Sequence, residues 1–388
     1  MRRLGLIGAA VLLYLGAQCA VGMADSAGSA TGGAAELARL NAQILQQPNN
    51  TALNLRYAAL AEQLGKPRLA LAAYERILVY DPQNNDALTG VARIRKQLQP
   101  ATTKFVLGLS GGYESNPLYL PSTPLVKSEG EFSGYLNMRD ERQIADYSWR
   151  TLGGVDGIVH GEFVALDYAH AGVMTGPVLA LLPNLQVHTA IGGAGAYFDT
   201  HPYYGEVAAS ATFETYPAGA YEAVMFKAAL RDYDSFFVPD HGGGYAEVVG
   251  KFTIPAAVPD FAFLFTPWIR FSEIHGALGS PPPNPLLEPG DYIDTGAKIE
   301  ADYSPVNWIV LGANFALGER YYRDLPQTVL VVPERDTTWS PGGMVLFPHV
   351  FDYQTDLRFD YKYIQNYSNN PGFVFVDRVA TGTVVRRF

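Results

Sequence analysis

Cysteine is almost absent from this sequence, and long apolar runs are absent altogether. The 388 residues include one cysteine, Cys19, close to the amino terminus. This count excludes disulfide frameworks, thiolate metal sites and cysteine nucleophiles from the rest of the chain. Because no run of 18 or more apolar residues occurs, a membrane protein built from helices is also excluded.

Charge is sparse and unevenly distributed. Charged residues make up 17% of the chain, against about 25% in a typical soluble domain. Residues 101–388 hold 18 Lys and Arg against 32 Asp and Glu, whereas residues 25–100 hold eight against six. An acidic surface repels phosphate, so we expect no nucleic-acid partner. The composition leaves a large soluble β protein or an outer-membrane barrel, whose alternating strands escape hydropathy averaging.

Residues 1–24 are predicted to form a secretory signal peptide. A basic pair is followed by an apolar stretch over residues 4–15, which is too short to span a bilayer, and small residues at 22–24 offer a cleavage site. A lipoprotein signal acylated on Cys19 is the alternative, and the bulky residue before the cysteine disfavours it.

Residues 33–98 have helical periodicity and repeat signals. Pro48 and Pro82 lie 34 residues apart, and 34 residues is the tetratricopeptide period. Within residues 51–84, Gly65, Ala70, Tyr74 and the pair Asp81-Pro82 resemble the second half of the tetratricopeptide pattern, while Asn54 replaces the usual aromatic residue.

The array holds about two repeats, fewer than the three that a free-standing solenoid needs. We therefore expect this domain to dock on a partner, with Arg68 as a contact residue. A helical spacer without a partner is the alternative.

From residue 101 to residue 388 the apolar period changes from 3.6 to 2. In residues 352–364, aromatic and aliphatic side chains alternate with charged ones, and aromatic residues crowd the segment ends. About fourteen such segments occur. The pattern predicts a mainly β fold, a 14-stranded antiparallel transmembrane β-barrel, preceded by a small all-α tetratricopeptide-like domain.

Loop lengths support the count of fourteen strands. The connections 114–129, 274–290 and 322–337 are long and odd-numbered, whereas the even-numbered ones include short turns at 217–219 and 304–305. Long loops outside and short turns inside are the rule for outer-membrane barrels.

Motifs for catalysis and metal binding are weak. Residues 108–112 fit G-x-S-x-G, but a nucleophile elbow needs a strand-to-helix turn, and Ser110 lies within a predicted strand. The seven histidines are scattered without a metal-binding spacing. We expect no enzyme activity, no metal site and no cofactor.

Alternation places charged residues of both signs on the predicted lumen face, where they are candidate channel-lining residues. These residues are Arg150, Asp156, Lys227, Arg231, Glu247, Lys251, Arg270, Lys298, Glu300, Arg320, Asp356, Arg358, Asp360 and Lys362. A pore selective for anions or cations favours one sign. The mixture indicates an internal salt-bridge lattice, with contact to a polar substrate as the alternative.

The order of parts, together with Gly111-Gly112-Tyr113-Glu114-Ser115-Asn116-Pro117, resembles the surface lipoprotein assembly modifier family. The resemblance implies a C-terminal 14-stranded barrel and periplasmic helices that together help lipoproteins reach the cell surface. Cellulose and poly-N-acetylglucosamine exporters share the order of parts but have more repeats and a 16-stranded barrel.

These observations predict a non-enzymatic outer-membrane protein with its helical domain in the periplasm. Its expected role is export of protein cargo such as surface lipoproteins, and the alternative is a passive porin or exopolysaccharide channel. Expected partners are outer-membrane lipids, cargo on the helices, and the barrel assembly machinery, which would bind the last strand at its terminal aromatic residue, Phe388.

Overall fold

The computed structural model comprises two compact units, Met1–Gln99 and Pro100–Phe388. It describes residues 27–388 except 99–100, 122–125, 145–146, 183, 218–219, 235–241, 256–259, 275–289 and 324–331. The predicted signal peptide, residues 1–24, lies outside the described residues. No helix in the described part of the chain is long and apolar enough to cross a membrane.

The first unit contains four helices. They are α1 (Ala27–Gln46), α2 (Thr51–Gln63), α3 (Pro67–Tyr80) and α4 (Asn85–Gln97). Asn50 caps α2 by accepting a hydrogen bond from the Leu53 amide, and Asn84 caps α4 by accepting one from the Ala87 amide. Side-chain oxygens at such positions satisfy amides that a helix start leaves free. The two caps are 34 residues apart, so the helices follow the spacing found in the sequence.

Asn54 shows how the helical unit accommodates a polar residue where an aromatic one is usual. Its side chain is only 1% exposed. Its Oδ1 accepts a hydrogen bond of 2.9 Å from Arg76, and its Nδ2 donates to the carbonyls of Pro48 and Asn50 at 3.0 and 2.9 Å. These bonds offset the cost of burying the amide.

Tyr74 joins three of the helices through its hydroxyl group. The ring is buried, and the hydroxyl donates a hydrogen bond of 2.7 Å to Glu62, which also forms an ion pair with Arg93. Burial, followed by the hydrogen bond to Glu62, raises the pKa of Tyr74 to about 12. The neutral phenol is therefore the form that this core stabilises.

The second unit is a closed barrel of fourteen antiparallel strands, as the alternation predicts. The strands are β1 (Thr102–Glu114), β2 (Glu129–Ile144), β3 (Tyr147–His160), β4 (Tyr168–Leu182), β5 (Leu185–Phe198), β6 (His201–Thr215), β7 (Glu222–Tyr233), β8 (Gly242–Pro255), β9 (Phe261–Ile274), β10 (Asp291–Val306), β11 (Ile309–Tyr322), β12 (Arg335–Phe347), β13 (Thr355–Ser368) and β14 (Phe375–Arg387). Each strand pairs with its neighbours in sequence, and β1 pairs with β14 to close the sheet.

Two local expectations were wrong. The segment 162–172 was expected to be a strand, but a short 3₁₀ helix occupies Val164–Leu166 and β4 begins at Tyr168. A turn was expected at residues 304–305, but β10 continues to Val306 across a register shift, and the turn falls at residues 307–308.

The two ends of the barrel differ in the lengths of their connections. The long connections 115–128, 275–290 and 323–334 all follow odd-numbered strands and lie at one end, here called the loop end. Every connection at the other end, the turn end, has seven residues or fewer. This asymmetry is typical of outer-membrane barrels.

The outward face of the barrel carries an apolar band. Large exposed side chains on this face include Leu109, Phe132, Ile191, Val207, Leu230, Ile299, Phe315, Leu317 and Phe359. Among the described strand residues, the outward-facing Asp, Glu, Lys and Arg lie within four residues of a strand end. A charge-free belt between polar rims matches a bilayer core, which identifies the barrel as the outer-membrane type.

Candidate functional site: the inward face of the barrel

The inward face collects the charged residues that the sequence pattern singles out. Pairing transmits the face from strand to strand, because directly opposite residues point the same way. Starting from Ser110, which is paired with Thr383 and Ser133, the register places all fourteen candidate residues on the inward face. Most of them form ion pairs with neighbouring strands.

One group of ion pairs centres on Glu206 of β6. Its carboxylate lies 2.5 Å from Lys227 Nζ and 2.6 Å from Arg231 Nε, both on β7. The side chains of Glu206 and Arg231 are almost fully buried, whereas that of Lys227 is about one-fifth exposed. Two cations therefore share one carboxylate, and this group carries a net positive charge.

A second group continues the pattern around the wall. Arg270 on β9 lies between Glu247 and Asp294, at 3.2 and 3.5 Å, and Arg320 on β11 contacts Asp294 at 3.0 Å. The indole of Trp268 also donates to Asp294, at 2.5 Å. Positive and negative groups thus alternate from β8 to β11, which holds each long side chain in one orientation.

Inward-facing tyrosines pack between these charges. The guanidinium of Arg231 lies 4.0 Å from the centre of the Tyr245 ring, and that of Arg320 lies 4.3 Å from the Tyr292 ring. Both distances are in the range of cation–π attraction. Because these rings are buried, the arginines are fixed from two sides, and the wall from β6 to β11 is a rigid polar surface.

A cavity of about 260 Å³ opens beside this wall. Its lining includes Met174 and Tyr204 together with Glu206, Lys227 and Glu247. Ion-pairing groups therefore border a water-accessible space, where they can contact a polar solute. The volume suits a small group or an extended chain segment rather than a folded protein.

Nearer the turn end, Arg150 links strands that are not adjacent. Its guanidinium contacts Glu141 of β2 at 2.7 Å and Glu214 of β6 at 3.0 Å. Such a link across β4 and β5 is possible on the concave side of a curved sheet, where side chains converge. Tyr221, outside the strands, donates to Glu214, and burial followed by this carboxylate raises the pKa of Tyr221 to about 12.

The remaining candidates are mostly paired as well. Asp156 contacts His170 at 2.8 Å, Lys298 contacts Glu300 at 2.8 Å, Arg358 contacts Asp360 at 2.7 Å, and Asp356 contacts Arg387 at 2.5 Å. Among the described residues, Lys251 and Lys362 form no ion pair within 4.0 Å. The inward face is therefore mainly a salt-bridge lattice.

Two other sequence candidates have simple surroundings. Arg68 is exposed near the start of α3 and has no hydrogen bond or ion pair to any described side chain. Ser110 lies in mid-strand with its Oγ 2.8 Å from Thr383 Oγ1. No strand-to-helix turn surrounds it, so the geometry of a nucleophile elbow is missing.

The structure also assembles a group that sequence spacing does not reveal. Glu114, Glu131 and His160 offer potential ligand atoms that all lie within 4.8 Å of one another. They come from three consecutive strands. A single signal in the sequence pointed here, because Glu114 and Gly112 belong to the segment that carries the family resemblance.

Comparisons with known proteins agree with a barrel architecture and do not identify a family. No family model matches the sequence, and no curated protein does. Among solved structures, the chain is similar to the outer membrane channel DcaP of Acinetobacter baumannii, with 9% identity, a TM-score of 0.43, and coverage of 74% of this chain and 97% of that one.

Two further solved structures give comparable likeness. A TodX monoaromatic hydrocarbon channel mutant has 9% identity and a TM-score of 0.41, and covers 79% of this chain and 94% of its own. A bacterial polysaccharide outer membrane secretin has 11% identity and a TM-score of 0.38, and covers 73% of this chain and 98% of its own. The assignment of the barrel rests on its own strand pairing and apolar band.

Proposed function

We propose that this chain forms an outer-membrane channel that takes part in export. The observation that carries the proposal is the contrast between the two faces of one sheet. The outward face has a charge-free belt, and the inward face carries charges such as Arg150, Arg231 and Arg270. An interior of this kind stabilises water and polar cargo within a bilayer.

The helical unit supports export rather than simple permeation. In this proposal it lies in the periplasm and binds cargo before passage. Leu45 and Val79 are equivalent under the 34-residue spacing, and both are more than 70% exposed. Repeated exposed apolar side chains near a free cation, Arg68, offer a surface for an acidic, partly apolar polypeptide.

The proposed cargo class is a protein such as a surface lipoprotein, as the family resemblance implies. An extended segment fits the barrel, because the ion-pair lattice narrows a lumen that fourteen strands enclose. A passive porin and an exopolysaccharide channel are the competing functions. Both predict that the helices are dispensable for display of lipoproteins.

A deletion of residues 33–98 that keeps the signal peptide tests the proposal. We expect the barrel to assemble and conduct ions, while surface display of the cargo is lost. Arg68→Glu in the full chain is the matched point variant, and it should reduce display without changing conductance. Normal display by the deletion variant, with loss of solute or polysaccharide passage alone, would reject the export proposal.

A further inference from the structure

Five ionisable side chains meet at the loop end of the barrel, where the first and last strands close. They are Glu114 of β1, Glu129 and Glu131 of β2, His160 of β3 and Asp377 of β14. Here they are called the seam cluster. Asp377 is 0% exposed, Glu129 is 5%, His160 is 7% and Glu114 is 8%. Four carboxylates are therefore withdrawn from water within a small region.

The seam cluster lacks basic partners among the described residues. No Lys or Arg lies within 4.0 Å of any of its four carboxylates, and Glu129 has a histidine contact at 4.0 Å. Lys362 is on the neighbouring strand β13, but it forms no ion pair with the cluster. Burying several like charges without a counter-charge is strongly unfavourable. The arrangement therefore requires a positive group from outside these side chains.

Three atoms of the cluster are buried without a hydrogen-bond partner. They are Oε1 of Glu129, Nδ1 of His160 and Oδ2 of Asp377. The remaining carboxylate oxygens are held firmly. Oε2 of Glu129 accepts from two backbone amides at 3.0 and 3.1 Å, and Oδ1 of Asp377 accepts from the Asn116 amide at 2.9 Å. Each carboxylate is thus fixed through one oxygen and offers the other.

The distances suit a single metal ion. Ligand atoms of Glu114, Glu131 and His160 lie within 4.8 Å of one another, and ligands about 2.0–2.2 Å from a metal span at most about 4.4 Å. Small adjustments of side chains close the difference. Gly112 leaves the necessary room, since a Cβ there would lie 2.8 Å from Oε1 of Glu131.

Tyr119 reports the same negative field from outside the strands. Burial, and then the carboxylates of Glu114, Asp377 and Glu131, raise the pKa of this tyrosine. Its phenol thus stays neutral beside the cluster. A neutral phenol cannot supply the missing positive charge.

We propose that the seam cluster binds one divalent transition-metal cation, of the Zn²⁺ or Mn²⁺ class. Glu114, Glu131 and His160 are the primary ligands, and Glu129 and Asp377 supply further charge. A nitrogen ligand among carboxylates suits these ions better than Ca²⁺ or Mg²⁺, which prefer oxygen alone. The bound ion joins β1, β2 and β3 beside the seam with β14, so it fastens the point at which the barrel closes.

The test is metal binding to the full-length protein in detergent after treatment with a chelator. Calorimetric titration with ZnCl₂ and with MnCl₂ should show one site per chain. Glu131→Gln and His160→Gln should each lower the affinity about tenfold or more. Glu300→Gln is the matched control, because Glu300 is an inward carboxylate paired with Lys298 outside the cluster, and it should bind as the unmodified chain does.

A second measurement separates binding from folding. The temperature at which the folded band is lost on gels should rise with added Zn²⁺ in the unmodified chain and the control, but not in the two cluster variants. Absence of binding by both metals, or equal affinity in the cluster variants with intact folded bands, would overturn the proposal. Binding of Ca²⁺ alone, unaffected by His160→Gln, would overturn it too.

Discussion

Ser110 and Thr383 lie side chain to side chain across the closure of the barrel, with their hydroxyl oxygens 2.8 Å apart although 273 residues separate them in sequence. Both side chains are buried on the inward face. The hydroxyl of Ser110 is therefore used in a bond between the first and the last strand. This position accounts for a serine in the G-x-S-x-G segment without any catalytic step.

Ser110→Ala should therefore remove one hydrogen bond and nothing else. We expect a loss of about 0.5–1.5 kcal/mol in the free energy of unfolding and normal channel conductance. Urea unfolding in detergent, followed by the folded band on gels, measures the first quantity. Thr383→Val is the matched variant and should cost a similar amount. Complete loss of function in Ser110→Ala with an intact barrel would instead indicate a nucleophile.

Adjacent residues on β11 test the assignment of faces. Phe315 points outward and is 45% exposed, whereas Asn314 points inward. Phe315→Arg places a charge in the apolar band and should cost about 2–4 kcal/mol or block assembly. Asn314→Arg should be tolerated, as measured by the amount of folded protein in the membrane. Equal tolerance of the two variants would contradict the register.

Arg76 supports a buried amide in the helical unit. Arg76→Ala leaves Oδ1 of Asn54 without its hydrogen bond, and we expect a cost of about 1–3 kcal/mol. Helical circular dichroism of the full chain during thermal unfolding measures it. Adding Asn54→Leu to the same chain should recover part of the loss, because the unsatisfied polar group is then gone. A double variant less stable than the single one would show that the other bonds of Asn54 matter more.

Tyr74 predicts that the helical unit weakens at high pH. Its folded-state pKa is raised from 10.0 to about 12, so the stabilisation is fully present below pH 10. That stabilisation decreases as pH rises from 10 to 12, because the folded core resists phenolate formation. Tyr74→Phe should abolish this part of the pH dependence of helix melting. Tyr80→Phe, an exposed position on the same helix, should leave the dependence unchanged.

Glu206 sets the local charge of the channel wall. Glu206→Gln leaves Lys227 and Arg231 beside a neutral amide, so the lumen should become more selective for anions. The reversal potential in a KCl gradient across a planar bilayer measures this change. Glu319→Gln removes the same charge from the outward face and should have no effect. A shift toward cation selectivity in Glu206→Gln would contradict the inward position of this carboxylate.

The faces and the number of strands could be predicted because alternation is a property of each strand alone. An error of two residues in a strand end leaves the face of its side chains unchanged. The expected segment 204–215 and the observed β6, His201–Thr215, illustrate this tolerance. The inward positions of Lys227 and Arg231 followed from their own strand in the same way.

Partners across strands could not be predicted, because they depend on the stagger between strands. His160 meets Glu131 through a register that no single segment encodes. The position of β4 was missed for a related reason. Pro177 lies inside this strand, and proline usually argues against a paired interior. The pairing with β5 omits residues 176 and 177, so the strand tolerates the proline.

The pairing of neighbours along the chain has a consequence for the order of assembly. Thirteen of the fourteen strand pairings join consecutive strands and can form as successive hairpins with a small loss of chain entropy. The pairing of β1 with β14 joins segments at opposite ends of the unit, so it is the slowest contact to form. The late intermediate is an open sheet with two bare edges, which is vulnerable to aggregation until the ends meet.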